Sequence, residues 1–348
     1  MKNIQIDHFE INDSSKVFII AELSANHNQN LNLALETIHA ISEAGADAVK
    51  LQTYTADTMT IDSDNDLFHK KSGLWKGYTL YQLYEKASTP WDWHPQLMEK
   101  AKTLGLICFS APFDKTSVDF LEKLNVPAYK IASFEITDIP LIEYTAAKGK
   151  PIIISTGIGT VDDIQSAITA CKVCGNEQVI LLKCTSAYPA KIEDANLLSI
   201  PEMKNIFKCP VGLSDHTLGI NVPIASIALG AKVIEKHFIL NKSIQTPDVA
   251  FSLDKDEFAK MVKAVRETEL ALGSREYIVT ESMKNSREGA RSLFVVQDIK
   301  ADASLTEENV RSIRPGQGLH PKHLSKIIGR KATRYLKKGT PLAWEHIQ

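Results

Sequence analysis

Nowhere in its 348 residues does this chain hold an apolar run long enough to span a membrane. Its N-terminus also lacks a basic segment followed by an apolar one, so neither a membrane anchor nor a secretory leader is expected. Cysteine is scarce. Cys108, Cys171, Cys174, Cys184 and Cys209 are odd in number and lack the spacing of a disulfide scaffold. Cys171 and Cys174 form a C-x-x-C, but no second pair or nearby histidine completes a zinc site, and they fall inside a helical pattern. A reduced, cytoplasmic setting fits this usage. Net charge is nearly absent as well, with 40 Lys and Arg against 42 Asp and Glu. Nor does a G-x-G-x-x-G follow the first apolar run, which argues against a dinucleotide-binding sheet.

What charge there is lies unevenly. Residues 291–348 carry 11 Lys and Arg against 5 Asp and Glu, whereas residues 1–290 carry 29 against 37. The basic tail could face anionic ligands. Its cations are spread through turns with almost no aromatics for base stacking, so nucleic acid is not the expected partner.

Residues 4–11 alternate weakly and predict a short hairpin. Val17–Leu23 is then a near-continuous apolar run, as in a strand buried on both faces. Asn30 caps a helix in which Leu31, Leu35, Ile38 and Ile41 recur at helical spacing, and Gly45 stops it. Ala46–Gln52 is the second strand. The alternation continues through strand candidates at 106–110, 128–132, 151–155, 179–183, 211–214 and 232–236. Helical patterns separate them, and a last helix capped by Asp254 runs to about Leu272. Eight strands, each followed by helical material, predict an α/β fold of the TIM (β/α)8 barrel kind over residues 1–280. A doubly wound sheet is the alternative. The connection 53–93 is long and holds Trp75, Trp91 and Trp93, three of the four tryptophans; such loops lie on the catalytic face of a barrel. Residues 281–290 read as a linker. Residues 291–348 read as a small domain with a strand at Ser292–Val296, a short helix capped by Thr306 and a helix near 321–328.

In a barrel the reactive groups sit at strand C-termini. VGLSDHT (211–217) and EKHF (235–238) end two successive strands, so His216 and His237 would lie together. One histidine there is more often a hydrogen-bonded structural residue, but two in matching places on neighbouring strands favour a divalent-metal site. The other strand ends supply Glu22, Lys50, Gln52, Ser110, Lys130, Ser133, Glu135, Ser155, Lys183 and Ser214. Lysines gathered in one mouth repel unless an anion joins them, and the Ser155-Thr-Gly-Ile-Gly turn suits a phosphate. A small phosphorylated anion beside a divalent metal is the reading. Taken singly, each lysine would be read as a solvated charge or an ion pair.

AELSANHNQ (21–29), DAVKLQTY (47–54), FSAPFD (109–114), YKIASFEITDIPLIEY (129–144), GKPIIISTG (149–157), KCTSAYP (183–189), VGLSDHT, EKHF and RSIRPGQGLHP (311–321), in this order, resemble the sialic acid synthase family over nearly the whole chain. The tail resembles that family's antifreeze-like (SAF) domain. The resemblance implies condensation of phosphoenolpyruvate and water with an acetamido-sugar, a Mn or Mg ion, and a homodimer in which each tail covers the partner's barrel. It implies that His216 and His237 hold the metal and that Lys50, Lys130, Ser133, Ser155 and Ser214 contact phosphoenolpyruvate. Glu22, Glu135 and Asp248 would stand near metal and sugar, with Glu135, then Glu22, as the candidate base and Lys130 beside the chemistry. Arg314 would reach the sugar's acetamido group. Where the family often has threonine, histidine and asparagine, this chain has Ala111, Lys183 and Ala187. Lys183 is expected to supply what Ala187 cannot. These changes, with the SANHNQ form and the TLYQLYEKASTPWDWH run (79–94), imply 2,4-diacetamido-2,4,6-trideoxy-L-altrose as the sugar. N-acetylneuraminate and legionaminate chemistry are the alternatives.

Overall fold

A hairpin comes first, with β1 (Ile4–Ile6) antiparallel to β2 (Phe9–Ile11). Eight parallel strands then close into a barrel: β3 (Phe18–Glu22), β4 (Ala48–Thr53), β5 (Ile107–Pro112), β6 (Tyr129–Ile131), β7 (Ile152–Ser155), β8 (Val179–Cys184), β9 (Val211–Asp215) and β10 (Val233–His237). The last pairs with the first, Glu22 lying opposite His237. This is a computed structural model; it describes residues 3–274 and 276–348. Residues 1, 2 and 275, which fall within the stretch assigned to the barrel from sequence, lie outside the described residues.

Side chains alternate along each strand, and the two faces have different neighbours. One series, including Ile19, Val49, Ile131, Ile154, Leu181, Leu213 and Ile234, packs under the surrounding helices. The other points to the barrel axis. Its lower members, Phe18, Ile20, Ala48, Phe109, Ala128, Ile153, Leu182 and Val233, form one apolar cluster with Ile4, Ile6 and Ile11 of the hairpin. The hairpin therefore closes the barrel's N-terminal end. Gly212 lies in this series, where a Cβ would collide with the Val233 carbonyl and with Leu182. Two residues further along the same inward series stand Glu22, Lys50, Lys130, Ser155, Cys184, Ser214 and Glu235. The polar site is the next layer of the core.

Asn30, Asp114, Asp138 and Asp254 each start a helix with a side-chain cap bond, and Thr160 opens Val161–Val173 in the same way. Cys171 is buried in that last helix and Cys174 caps its end; all five cysteines are free thiols. No described helix is long and apolar enough to cross a membrane.

The chain divides into Met1–Gly273 and Ser274–Gln348. The division falls earlier than the boundary read from sequence. The stretch read as linker holds a helix, Glu281–Arg287, capped by Thr280 and burying none of its residues. The second unit has its own core, in which Leu293, Val295, Ile299, Leu305, Val310 and Leu336 take part. Its β11 (Ser292–Val295) and β12 (Val310–Ile313) pair antiparallel. One expectation fails here. Thr306–Asn309 is a single turn, closed by the Asn309 amide on the Thr306 carbonyl at 3.3 Å. The start of β12 at Val310 leaves no length for a helix.

Candidate active site

The upper inward layer converges on buried charges. Lys50 Nζ lies 2.9 Å from Glu22 Oε1 and 3.2 Å from Glu235 Oε1, and Lys130 Nζ lies 3.6 Å from the same Glu235 oxygen. Ser214 Oγ donates to that oxygen at 3.2 Å, and the Gln52 amide donates to Glu22 at 2.7 Å. The lysines thus have carboxylate partners within the protein, and Glu235 sits between them. Burial raises the Glu22 carboxyl, but Lys50, His237 and Lys130 outweigh it and hold it well below its usual range. Burial lowers Lys50, yet Glu22 and Glu235 keep it above its ordinary value. Lys130 ends up lowered, because burial and the charge of Lys50 exceed the help from its carboxylates.

The two imidazoles meet beside this cluster with ring centroids 5.3 Å apart. His216 shares its Nδ1 with the Thr185 carbonyl at 3.1 Å, which leaves Nε2 as the acceptor. Burial, then His237, pushes His216 down to about 3, so its ring is neutral. His237 Nε2 is 3.4 Å from Glu22 Oε2, and its Nδ1 is 3.5 Å from Asp248 Oδ2. Those carboxylates overcome burial and raise His237. Phe251 (4.8 Å) packs on His237, and Tyr188 (4.6 Å) on His216. A neutral imidazole, a second one between two carboxylates, and Glu22 are suitable donors for a hard divalent ion. Among the described residues, however, no group of three such side chains is already gathered as a metal cage.

Hydroxyls fill the opposite rim. Ser133 Oγ accepts from Ser186 Oγ at 2.8 Å and from the Ile158 amide at 3.0 Å. Gly157 makes room for both, since a Cβ there would strike the two hydroxyls. Ser155 Oγ, Glu135 Oε2 and Glu235 Oε2 are buried without a hydrogen-bond partner. Burial lifts the Glu135 carboxyl to about 7 against the pull of Lys130. A cavity of about 600 Å3 brings together Glu22, Lys50, Lys130, Ser133, Glu135, Ser155, Ser214, His216, His237 and Asp248, ten of the twelve residues to which the family resemblance gives a role.

Lys183 is a correction. It shares the phase of Leu181, which faces the helices, and its Nζ donates to the Cys184 carbonyl at 2.8 Å. Its neighbour Cys184 is the residue that enters the cavity. Lys183 therefore does not join the other lysines or stand in for Ala187. Arg314 belongs to the second unit, where it follows β12 and is exposed. Sequence reading placed Glu235 at its strand end but gave it no role in the site, although it lies two residues before His237 on one strand and must share its face. It also passed over Tyr188 and Phe251, for which no pattern in the sequence gave a signal.

A model of the NeuB family matches residues 37–277, and one of the SAF domain matches residues 290–348. The chain belongs to the NeuB family. This NeuB-family chain is 53% identical to the pseudaminic acid synthase of Helicobacter pylori, over 95% of its own length and 97% of the relative's. It is 39% identical to the N,N'-diacetyllegionaminic acid synthase of Legionella pneumophila, over 96% of each. Among solved structures it resembles the N-acetylneuraminic acid synthetase of Leptospira borgpetersenii in complex with citrate. That likeness has a TM-score of 0.73 at 30% identity and covers 82% of this chain and 95% of that one.

Proposed function

We infer that this chain is a pseudaminic acid synthase, joining phosphoenolpyruvate, water and 2,4-diacetamido-2,4,6-trideoxy-L-altrose into pseudaminic acid and phosphate. The observation that carries the chemistry is the meeting, in one cavity, of a histidine pair with two lysines buried on a shared carboxylate. The sugar follows from the relatives, since identity is 53% to a pseudaminic and 39% to a legionaminic acid synthase.

The phosphoenolpyruvate carboxylate and phosphate would lie against Lys50 and Lys130, with Ser133, Ser155 and Ser214 donating hydrogen bonds. His216 and His237, with Glu22 beside them, would hold a Mn or Mg ion, which when bound supplies Lewis acidity at the sugar's aldehyde oxygen. The methylene carbon of phosphoenolpyruvate attacks the aldehyde carbon of the open-chain sugar, and the aldehyde oxygen takes the carbonyl electron pair and then a proton to become a hydroxyl. Water adds at the carbon bearing phosphate, and Glu135, poised near neutrality, takes its proton. The C–O bond then breaks, phosphate leaves with the bond's electron pair, and Lys50 and Lys130 stabilise that charge. The family resemblance further supports a homodimer whose Arg314 reaches the partner's sugar, in a cytoplasmic setting; a monomeric mass in solution would sink that arrangement.

Incubation with phosphoenolpyruvate and a panel of diacetamido and monoacetamido sugars, followed by mass spectrometry, tests the assignment. Pseudaminic acid is expected from the L-altro sugar, and bridge-labelled 18O should leave with phosphate. Preferred turnover of the legionaminate precursor or of N-acetylmannosamine would reassign the substrate, and unlabelled phosphate would reject C–O cleavage.

A further inference from the structure

The long connection after β4 contributes a short helix, Leu80–Ala87, with an unusual placement. Its apolar residues Leu80, Leu83 and Ala87, with Tyr84, fall at helical spacing on one face, and all four line the active-site cavity. The opposite face carries Gln82, Glu85 and Lys86, which are exposed. Leu83 and Ala87 are buried, yet they belong to none of the apolar clusters that make up the cores. A helix normally turns its apolar stripe towards such a core; this one turns it towards the cavity.

The helix is also fixed in place. Thr79 and Gln82 close a capping box at its start. The Gln29 side chain, from the loop after β3, donates to the Lys86 and Ser88 carbonyls at 3.0 and 2.6 Å. Trp75, earlier in the same connection, donates its indole N–H to the Pro247 carbonyl at 3.0 Å and packs on Tyr188, with ring centroids 5.7 Å apart. The cavity therefore has a charged floor at the strand ends and a fixed apolar wall above it.

We propose that the Leu80–Leu83–Ala87 face seats the deoxygenated end of the sugar, its C6 methyl group, and so selects a 6-deoxy substrate over its 6-hydroxy counterpart. The inference rests on the synthase reading and deepens it. A hydroxyl on C6 set against Leu80, Leu83 and Ala87 would lose its water, and these three side chains offer it no hydrogen bond. A methyl group there loses nothing and buries apolar surface. The sugar's aldehyde end then points to the histidines and lysines, where its oxygens find partners.

The test measures kcat/KM for the 2,4-diacetamido-2,4,6-trideoxy sugar and for the same sugar bearing a 6-hydroxyl. An apolar seat discriminates by a factor of about 10 to 100. Leu83→Ser and, separately, Leu80→Ser should each shrink that ratio several-fold, chiefly by raising KM for the 6-deoxy sugar, while KM for phosphoenolpyruvate stays put. Leu83→Met, which keeps volume and polarity, should preserve the ratio. A ratio unchanged in both serine variants, or equal losses on both sugars, would overturn the seat while leaving the synthase reading intact. Failure of the unaltered protein to turn over either diacetamido sugar would remove the synthase reading and the seat together.

Discussion

The two ends of the barrel interior are built from one series of side chains and behave oppositely. Near the N-terminal end the series reads Phe18, Ile20, Ala48, Phe109, Ile153 and Val233, sealed by the isoleucines of the hairpin. Two residues on it reads Glu22, Lys50, Ala111, Ser155 and Glu235. The lower end excludes water and holds the strands together. The upper end carries charges that cost free energy to bury and are tolerated because each has a partner at 2.9 to 3.6 Å. Stability and chemistry are thus stacked along one axis about two residues apart, and substitutions can pull them apart.

The strongest separation should come from the histidines. His216→Ala or His237→Ala should weaken divalent-metal binding by more than about 100-fold, read by Mn2+ titration, and abolish turnover without loss of fold. Near-normal rates in either variant would remove it from the ligand set. Glu135→Gln should lower kcat by about 10²–10⁴-fold with phosphoenolpyruvate binding retained. Its carboxyl, lifted to about 7, is protonated below that pH and cannot accept water's proton. The unaltered enzyme should therefore gain activity as pH rises through 7 and then level off, and the glutamine variant should lose that limb. At the lower end, Phe109→Ala should cost about 3–5 kcal/mol of stability in denaturant unfolding while leaving both Michaelis constants nearly unchanged at low temperature. The smallest effect is expected from Lys183→Met, within about twofold on kcat/KM for phosphoenolpyruvate, because its ammonium group bonds the Cys184 carbonyl on the helix side. A large loss there would mean that the inward series has been assigned to the wrong phase.

The fold was legible because buried parallel strands are apolar on both faces and stand out as runs, while Asn30 and Asp254 mark helix starts by side-chain chemistry alone. Strand ends were legible too, and with them most of the site. What reading strand ends does not decide is the face. Lys183 and Cys184 both end β8, and only period-two alternation counted from Leu182 assigns the cysteine to the interior. The same count from His237 selects Glu235 over Lys236, whose ammonium group is instead buried on Asp215 on the helix side. Tyr188 and Phe251 come from loops, where no period applies, and their approach to the histidines depends on tertiary placement. The Glu281–Arg287 helix carried a Thr280 cap and basic residues in its last turn, but it buries nothing, so it left no apolar rhythm to read.

The hairpin under the barrel has a kinetic meaning. With Ile4, Ile6 and Ile11 stoppering the far side, the described residues leave the cavity no way through the barrel's N-terminal end. If phosphoenolpyruvate lies against Lys50 and Lys130 and the sugar under the loop helix, as proposed, the first would have to enter before the second and phosphate would leave after the product above it. On that reading three isoleucines outside the cavity lining would impose a queue.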